Sequence, residues 1–187
     1  KLTEALKFIQ EIISQGKILL LVGTKVQVKN LLKEVALECG LPYVSERWLG
    51  GTFTNWPQIK SRIDRMHDLK DKRDKGELSV YTKKEQLLFN REISRLERYL
   101  LSLSNMAKLP AAVVVIDPMQ EAIVVSEAVK VKVPVVALAG SDCNLAGVSY
   151  PVVANDSNIK SIQFFVDKIV EAYRGGQSDA RDAKVTA

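Results

Sequence analysis

The chain has 187 residues, of which 47% are hydrophobic, with two cysteines and a formal net charge of +5. This length and hydrophobic fraction are sufficient for one domain with an insertion and a packed core, which excludes a disordered or fibrous chain. Because no apolar run approaches the roughly 18 residues that span a bilayer, and two cysteines do not make a disulfide framework, we expect a soluble protein of a reducing compartment.

Short apolar runs alternate with amphipathic stretches on both sides of a long polar segment. In chain order, the patterns predict helices from Leu2 to Gly16, Leu31 to Gly40, Glu121 to Lys132 and Asn158 to Arg174. The predicted strands are Ile18–Val22, Tyr43–Val44, Val113–Ile116, Val135–Leu138 and Val152–Val153. Strands that are apolar throughout are typical of parallel sheets covered on both faces. The alternation therefore predicts a three-layer α/β fold with a mostly parallel, flavodoxin-like sheet flanked by helices.

The segment from Pro57 to Lys108 has a different periodicity. Two stripes with nearly heptad spacing occur in it: Ile59, Ile63, Met66 and Lys70, and then Phe89, Ile93, Leu96, Leu100 and Leu103. Thr82 and Glu85 have the spacing of a capping box, which marks the start of the second helix. The pattern predicts an antiparallel coiled-coil helical hairpin inserted into the sheet domain.

The excess of positive charge is confined to this insertion. Residues 57–108 contain 13 Lys or Arg and 8 Asp or Glu, and the other 14 basic residues balance 14 acidic ones. A basic excess on one projecting element indicates a polyanionic partner, and a solvated surface of salt bridges is the alternative. We expect an α/β domain of residues 1–56 and 109–176, a hairpin of residues 57–108, and a flexible tail of residues 177–187.

The segment from Arg47 to Trp56 reads R-W-L-G-G-T-F-T-N-W and has an unusual composition. Its glycines permit close approach of a partner to the main chain, its arginine can pair with phosphate, and its tryptophans offer flat apolar faces. These residue types suit contact with a polyanion, and they also suit a glycine turn that packs two tryptophans into the core. The candidate contacts are Arg47, Trp48, Gly50, Gly51, Thr52, Asn55 and Trp56.

Motifs of the common α/β enzymes are missing from the sequence. The tripeptide G-T-K at positions 23–25 follows a predicted strand but lacks the spacing of a phosphate-binding loop, and no G-x-G-x-x-G begins a helix. Asp117 ends a predicted strand, where we expect it to cap the next helix. His67, the single histidine, has no nucleophile nearby in sequence. We therefore expect no catalytic residues, no metal site, no cofactor and no small-molecule substrate.

Six motifs distributed along the chain carry a more specific signal. They are G-K-I-L-L-L-V-G-T-K from Gly16, Y-V-S-E-R-W-L-G-G-T-F-T-N-W from Tyr43, T-K-K-E from Thr82, L-P-A-A-V-V-V-I-D from Leu109, V-P-V-V-A-L from Val133 and Y-P-V-V-A-N-D from Tyr150. In order and spacing these motifs resemble the bacterial-type small-subunit ribosomal protein S2 family. The resemblance covers nearly the whole chain, and the segment from Arg47 to Trp56 is its most specific part.

The resemblance implies a structural constituent of the small ribosomal subunit, in a cytoplasmic or an organellar ribosome, with no catalytic activity. The implied partners are small-subunit rRNA at the junction of head and body, and neighbouring proteins that include the large mRNA-binding protein S1, which the chain would help to dock. Basic residues expected to contact phosphates are Lys25, Lys29, Arg62, Lys83, Lys84 and Arg91.

The chain departs from the family pattern at three places, and two other functions stay open. Members of the family usually have a basic, histidine-containing segment and a strand before the first helix, so we expect the N-terminus to be cropped. Ser141-Asp142-Cys143 replaces the family's D-T-N, and Ala154 replaces its glycine. The alternatives are a Rossmann-like or receiver-like nucleotide-binding enzyme that uses Lys25 and Asp117, and a protein-interaction module built on the coiled hairpin.

Overall fold

The apolar runs form the strands of one sheet in the computed structural model, which describes residues 1–185 and their side chains up to Arg181. The strands are β1 (Leu19–Val22), β2 (Tyr43–Val44), β3 (Ala112–Ile116), β4 (Val135–Ala139) and β5 (Tyr150–Val153). The helices are α1 (Leu2–Ser14), α2 (Val26–Cys39), α3 (Trp56–Asp74), α4 (Lys83–Leu100), α5 (Ala122–Lys130) and α6 (Ile159–Val185). Short 3-10 segments lie at Glu77–Val80 and Leu101–Leu103.

All strand pairs of the sheet are parallel, in the order β2-β1-β3-β4-β5. Every residue of β1, β3 and β4 is buried, because parallel strands joined by crossover helices are covered on both faces. This arrangement confirms the predicted parallel α/β sheet. None of the described helices combines the length and the apolar composition that crossing a membrane requires.

Alternate side chains of the strands enter two separate cores, one on each face of the sheet. On the first face, Leu21 of β1 belongs to a cluster with Phe165 of α6 and with residues of α1 and α2. On the second face, Leu20 belongs to a cluster with Phe53, with Leu100 of the hairpin, and with residues of α5. The sheet is therefore the middle layer of three, as the sequence predicts.

The helical hairpin of α3 and α4 is anchored in the core of the second face. Its residues in that core are Ile59, Ile63, Met66, Leu100 and Leu103. Leu69 rather than Lys70 is the next buried residue of α3. Lys70 is half-buried, and its Nζ lies 2.8 Å from Glu97 of α4. The predicted capping box is confirmed, since Thr82 and Glu85 exchange both hydrogen bonds at the start of α4.

The last helix is longer than the sequence pattern predicts. It continues through Gly175 and Gly176 to Val185 instead of ending at Arg174, and it covers most of the segment expected to be a tail, of which positions 186 and 187 lie outside the described residues. A Cβ on Gly176 would lie 2.6 Å from the carbonyl oxygen of Gln10. The glycine is needed because α1 and α6 approach closely there, so it does not mark a helix end.

Candidate nucleic-acid interface

A carboxylate inside the protein holds the loop of residues 47–56. Glu127 of α5 is only 6% exposed. Its Oε1 accepts a hydrogen bond from the N–H of Gly51 at 2.6 Å, and its Oε2 accepts bonds from the N–H groups of Phe53 at 2.9 Å and Thr54 at 3.3 Å. These main-chain N–H groups, which we expected to contact a polyanion, therefore donate to a carboxylate of the same chain.

These donors keep Glu127 ionised. Burial by itself would raise the pKa of this carboxyl, but the hydrogen bonds from the N–H groups of Gly51, Phe53 and Thr54 bring the pKa below its ordinary value. The indole Nε1 of Trp48 also donates to Glu127, at 3.4 Å. One buried side chain thus binds the main chain of three loop residues and orients a tryptophan.

Of the two adjacent glycines, only the second is required by the backbone. Gly51 has a φ of +90°, in the left-handed region where a residue with a side chain is strained. Gly50 is exposed, and a Cβ added to it would meet no heavy atom within 4 Å. The first glycine therefore leaves the outer surface of the loop open.

Two of the expected contact residues lie inside the protein. Trp48 is buried and packs edge-on against Phe53, with ring centroids 4.8 Å apart. Thr52 is 1% exposed, and its Oγ1 donates to the carbonyl oxygen of Leu49 at 2.6 Å. These contacts revise the interpretation of the sequence, because Trp48 and Thr52 build the loop and do not face an external partner. Trp56 is half-buried, and its Nε1 has no hydrogen-bond partner among the described residues.

The outer surface of the loop carries the remaining expected contacts, Arg47, Gly50 and Asn55, all of them exposed. Arg47 lines a groove of about 300 Å³ together with Lys33 of α2 and Arg98 of α4. The structure therefore brings the loop arginine next to Arg98 of the hairpin, in a groove that also contains Glu46 and Glu97.

Two of the expected phosphate contacts are already paired within the chain. Lys25 Nζ lies 2.7 Å from Asp117 and 3.3 Å from Asp156. Burial disfavours the ammonium of Lys25, yet the two carboxylates raise its pKa above the ordinary value. Lys29 Nζ lies 3.3 Å from Glu46. Both lysines therefore neutralise carboxylates of their own chain.

Asp117 organises the carboxyl end of β3, where ligands of such sheets usually bind. It has a φ of +65°, and its Oδ1 accepts a hydrogen bond from the N–H of Gln120 at 3.1 Å, so it caps the turn that leads into α5. One ligand atom each from Asp117, Cys143 and Asp156 lie within 4.8 Å of one another. The ammonium of Lys25 contacts both carboxylates and provides the positive charge at this position.

Both arms of the hairpin carry exposed cations, and five of them lie on α4. Four of them share one helical face, at spacings of seven, four and three residues: Lys84, Arg91, Arg95 and Arg98. Lys83 is also exposed at the start of this helix. Near the base of the hairpin, Arg62 and Arg65 of α3 line a second groove together with Arg95. Arg62 thus lies next to α4, and Lys83, Lys84 and Arg91 are distributed along α4 itself.

Several residues of this surface are not identified from the sequence motifs. Arg95 could have been predicted, because its spacing from Arg91 and Arg98 places all three residues on one face of α4. Glu127 also leaves a local signal, since it is an acidic residue on the buried stripe that Val124 and Ala128 define. Its partners have no such signal, because they are 73 to 79 positions away in the chain.

Comparisons with known proteins agree with the resemblance of the motifs. A family model described as ribosomal protein S2 matches residues 1–176. The small ribosomal subunit protein uS2 of Trichormus variabilis is 38% identical to the chain over 182 residues, which are 96% of this chain and 69% of the relative. The uS2 protein of Nostoc punctiforme is 40% identical over 171 residues, or 90% of this chain and 65% of the relative. That of Synechococcus elongatus is 39% identical over 168 residues, or 90% and 67%.

Proposed function

The chain belongs to the ribosomal protein S2 family, and from that premise we propose that it is a structural constituent of the small ribosomal subunit that binds rRNA. Family membership is the observation that carries this proposal. The proposed position is the junction of head and body, in a cytoplasmic or an organellar ribosome. The proposed role needs no cofactor and no catalytic residue.

The distribution of charge supports an RNA partner. The net charge of +5 lies within residues 57–108, and cations of that segment such as Arg62, Lys84 and Arg91 are exposed. Lysines and arginines that contact phosphates release condensed counterions, which favours binding to RNA of any sequence. Because the excess of positive charge lies on the hairpin, it favours binding of the hairpin to the nucleic acid.

The dimensions of the hairpin support a contact away from the sheet. Helices α3 and α4 have 19 and 18 residues, so each is about 28 Å long at 1.5 Å per residue. The bases of both helices are fixed in the core of the second sheet face, while Lys83 and Lys84 lie at the far end. A hairpin held at its base can bridge to a second surface of the particle.

The structure of the loop supports two different roles for its residues, one in holding the loop and one in contacting RNA. Glu127, Gly51 and Trp48 hold the main chain in place from inside, and Arg47, Gly50 and Asn55 remain at the surface. We assign the RNA contact to those three exposed residues. A loop that is already ordered in the free protein loses little conformational entropy on binding.

Sedimentation with small subunits tests the proposal. The purified chain is mixed with small subunits depleted of their own S2 and separated on a sucrose gradient at increasing salt. We expect co-sedimentation at low salt, with log affinity falling by about 0.7 to 0.9 per neutralised phosphate for each decade of salt. A chain that stays at the top of the gradient, or an affinity that does not change with salt, would contradict the proposal.

A matched pair of variants sharpens this experiment. Arg47→Ala should lower the occupancy of the subunits and leave the melting temperature of the free protein nearly unchanged, because the side chain is exposed. Lys160→Ala, which removes an exposed charge from the first turn of α6, is the control and should bind like the original chain. Equal occupancy of the two variants would remove Arg47 from the interface.

The finer part of the proposal concerns ribosomal protein S1, whose docking the chain would assist. Family membership supports this part. S1 is added to depleted subunits with and without the chain, and the bound S1 is quantified after sedimentation. More S1 should be retained when the chain is present. Equal retention would contradict the docking role and leave the binding of rRNA standing.

A further inference from the structure

We propose that the groove at the base of the hairpin binds one unstacked nucleotide of the rRNA, an inference that rests on the proposed function. The groove has a volume of about 520 Å³, which is within the range of about 300 to 1,000 Å³ for small-ligand sites. Its lining includes Arg62, Arg65, Arg95 and Tyr99, together with the apolar side chains of Leu49 and Leu96. Phosphate and base would each meet a suitable side chain.

Two of the arginines are available for the phosphate. Arg65 Nε lies 3.4 Å from Glu92, which offsets its charge. Arg62 and Arg95 are exposed and have no acidic partner among the residues that the structure describes. A guanidinium can donate two parallel hydrogen bonds to phosphate oxygens. Because α3 and α4 each contribute one of these arginines, the phosphate would sit between the two arms.

Tyr99 provides the surface for the base. Tyr99 lines both this groove and the neighbouring groove that contains Arg47. On the side of the neighbouring groove, the guanidinium of Arg98 lies 5.6 Å from the ring centroid and 2.8 Å from Glu46. Tyr99 is half-buried and packs against the core of the second sheet face, which holds its side chain in place at the groove. Bases of single-stranded RNA stack on aromatic side chains held in this way.

The composition of the groove favours a single-stranded nucleotide over other polyanions. A regular RNA duplex keeps its bases stacked inside, so it would use the arginines and leave Tyr99, Leu49 and Leu96 uncovered. A peptide of acidic residues alone would do the same. A nucleotide that has left its stack can place a phosphate on the arginines and a base against the apolar wall.

The experiment measures binding of the full chain to the small-subunit rRNA of a Nostoc species over a range of salt concentrations. Tyr99→Leu should weaken binding by about tenfold, because it removes the aromatic surface, and should leave the salt dependence unchanged. Tyr99→Phe should retain the affinity. Arg95→Ala should weaken binding and also reduce the slope of log affinity against log salt by about 0.7 to 0.9. Lys160→Ala is the charge-matched control.

A crosslinking measurement on the unmodified chain removes any dependence on the folding of the variants. The same rRNA is substituted with 4-thiouridine, irradiated with the protein and digested, and we expect the crosslinked peptides to include the one that contains Tyr99. Crosslinks restricted to other segments would overturn the inference.

The outcomes separate the inference from the function on which it rests. If the original chain binds the rRNA and both Tyr99→Leu and Arg95→Ala bind like Lys160→Ala, the groove is not a binding site and the proposed function stands. If only Arg95→Ala is impaired, the groove contacts a phosphate of stacked RNA and the inference is wrong. If the original chain does not bind the rRNA at all, the inference is overturned together with the proposed binding of rRNA, and co-sedimentation with depleted subunits decides the role in the subunit.

Discussion

The carboxylate of Glu127 lies between the N–H groups of Gly51 and Phe53, and each carboxylate oxygen accepts a bond from one of them, at 2.6 Å and 2.9 Å. This relationship connects α5 to a loop that precedes it by more than 70 residues. An anion of the protein occupies donors that would otherwise suit a phosphate. The loop can therefore be ordered before it meets any nucleic acid.

Replacing this carboxylate should destabilise the free protein. Glu127→Gln would remove the charge and direct an amide group at main-chain donors, so we expect a loss of about 2 to 3 kcal/mol in the free energy of unfolding. Glu34→Gln, at an exposed position of α2, is the control and should change stability by less than about 0.5 kcal/mol. Urea unfolding followed by circular dichroism measures both. Equal stability of the two variants would mean that Glu127 does not hold the loop.

The lowered pKa of Glu127 predicts how this contribution depends on pH. The unfolded chain takes up the proton near the ordinary pKa of about 4.3, and the folded chain takes it up only at lower pH. The contribution is therefore complete above that value and is lost as pH falls through the folded pKa. We expect the stability difference between the original chain and Glu127→Gln to be constant from pH 7 to about pH 5 and to shrink below about pH 4.3.

Denaturant unfolding at each pH provides the measurement. A difference that is still unchanged at about pH 3 would show that another group accounts for the effect of the substitution, because the carboxyl of Glu127 would then not exchange its proton in the expected window.

The two loop glycines should respond differently to the same substitution. Gly51→Ala forces a side chain onto a backbone with a φ of +90°, so we expect a loss of about 1 to 3 kcal/mol. Gly50→Ala adds a methyl group to open space and should be nearly neutral for stability. Thermal unfolding distinguishes the two variants. If Gly50→Ala impairs subunit binding without a loss of stability, the exposed loop surface is part of the interface.

The glycine pair of α6 gives a second matched comparison. A Cβ on Gly176 would meet the carbonyl oxygen of Gln10 at 2.6 Å and Ile13 Cβ at 2.8 Å, whereas a Cβ on Gly175 would meet only the Gln10 amide group, at 3.5 Å. We expect Gly176→Ala to destabilise by about 1 to 3 kcal/mol, because α1 must move. Gly175→Ala should stabilise by about 0.5 to 1 kcal/mol through helix propensity. If both variants stabilise, the close approach of α1 and α6 is not tight.

Elements that depend on local pattern could be predicted from the sequence. The continuous apolar runs of β1, β3 and β4 identify buried parallel strands, and the pair Thr82 and Glu85 identifies the start of α4. The end of α6 could not be predicted in this way. A Gly-Gly pair is compatible both with a helix end and with close packing, and only the position of α1 distinguishes them.

The candidate site could be predicted only in part, for a related reason. Composition identifies the loop and the basic segment, but it does not show which donors are already used. Trp48 and Thr52 are turned inward because Glu127 and Leu49 lie behind them, and Lys25 is occupied because Asp117 and Asp156 converge on it from distant parts of the chain. Partners separated by many residues leave no local pattern.

The packing of α1 against α6 affects the order in which the protein can fold during its synthesis. Ile9 and Ile13 of α1 belong to the core that Phe165 and Ile169 of α6 complete. A ribosome adds roughly 5 to 20 residues per second, so α1 waits on the order of ten seconds or more for its partner. During that time the apolar face of α1 is not covered by α6 and can bind chaperones or other nascent chains.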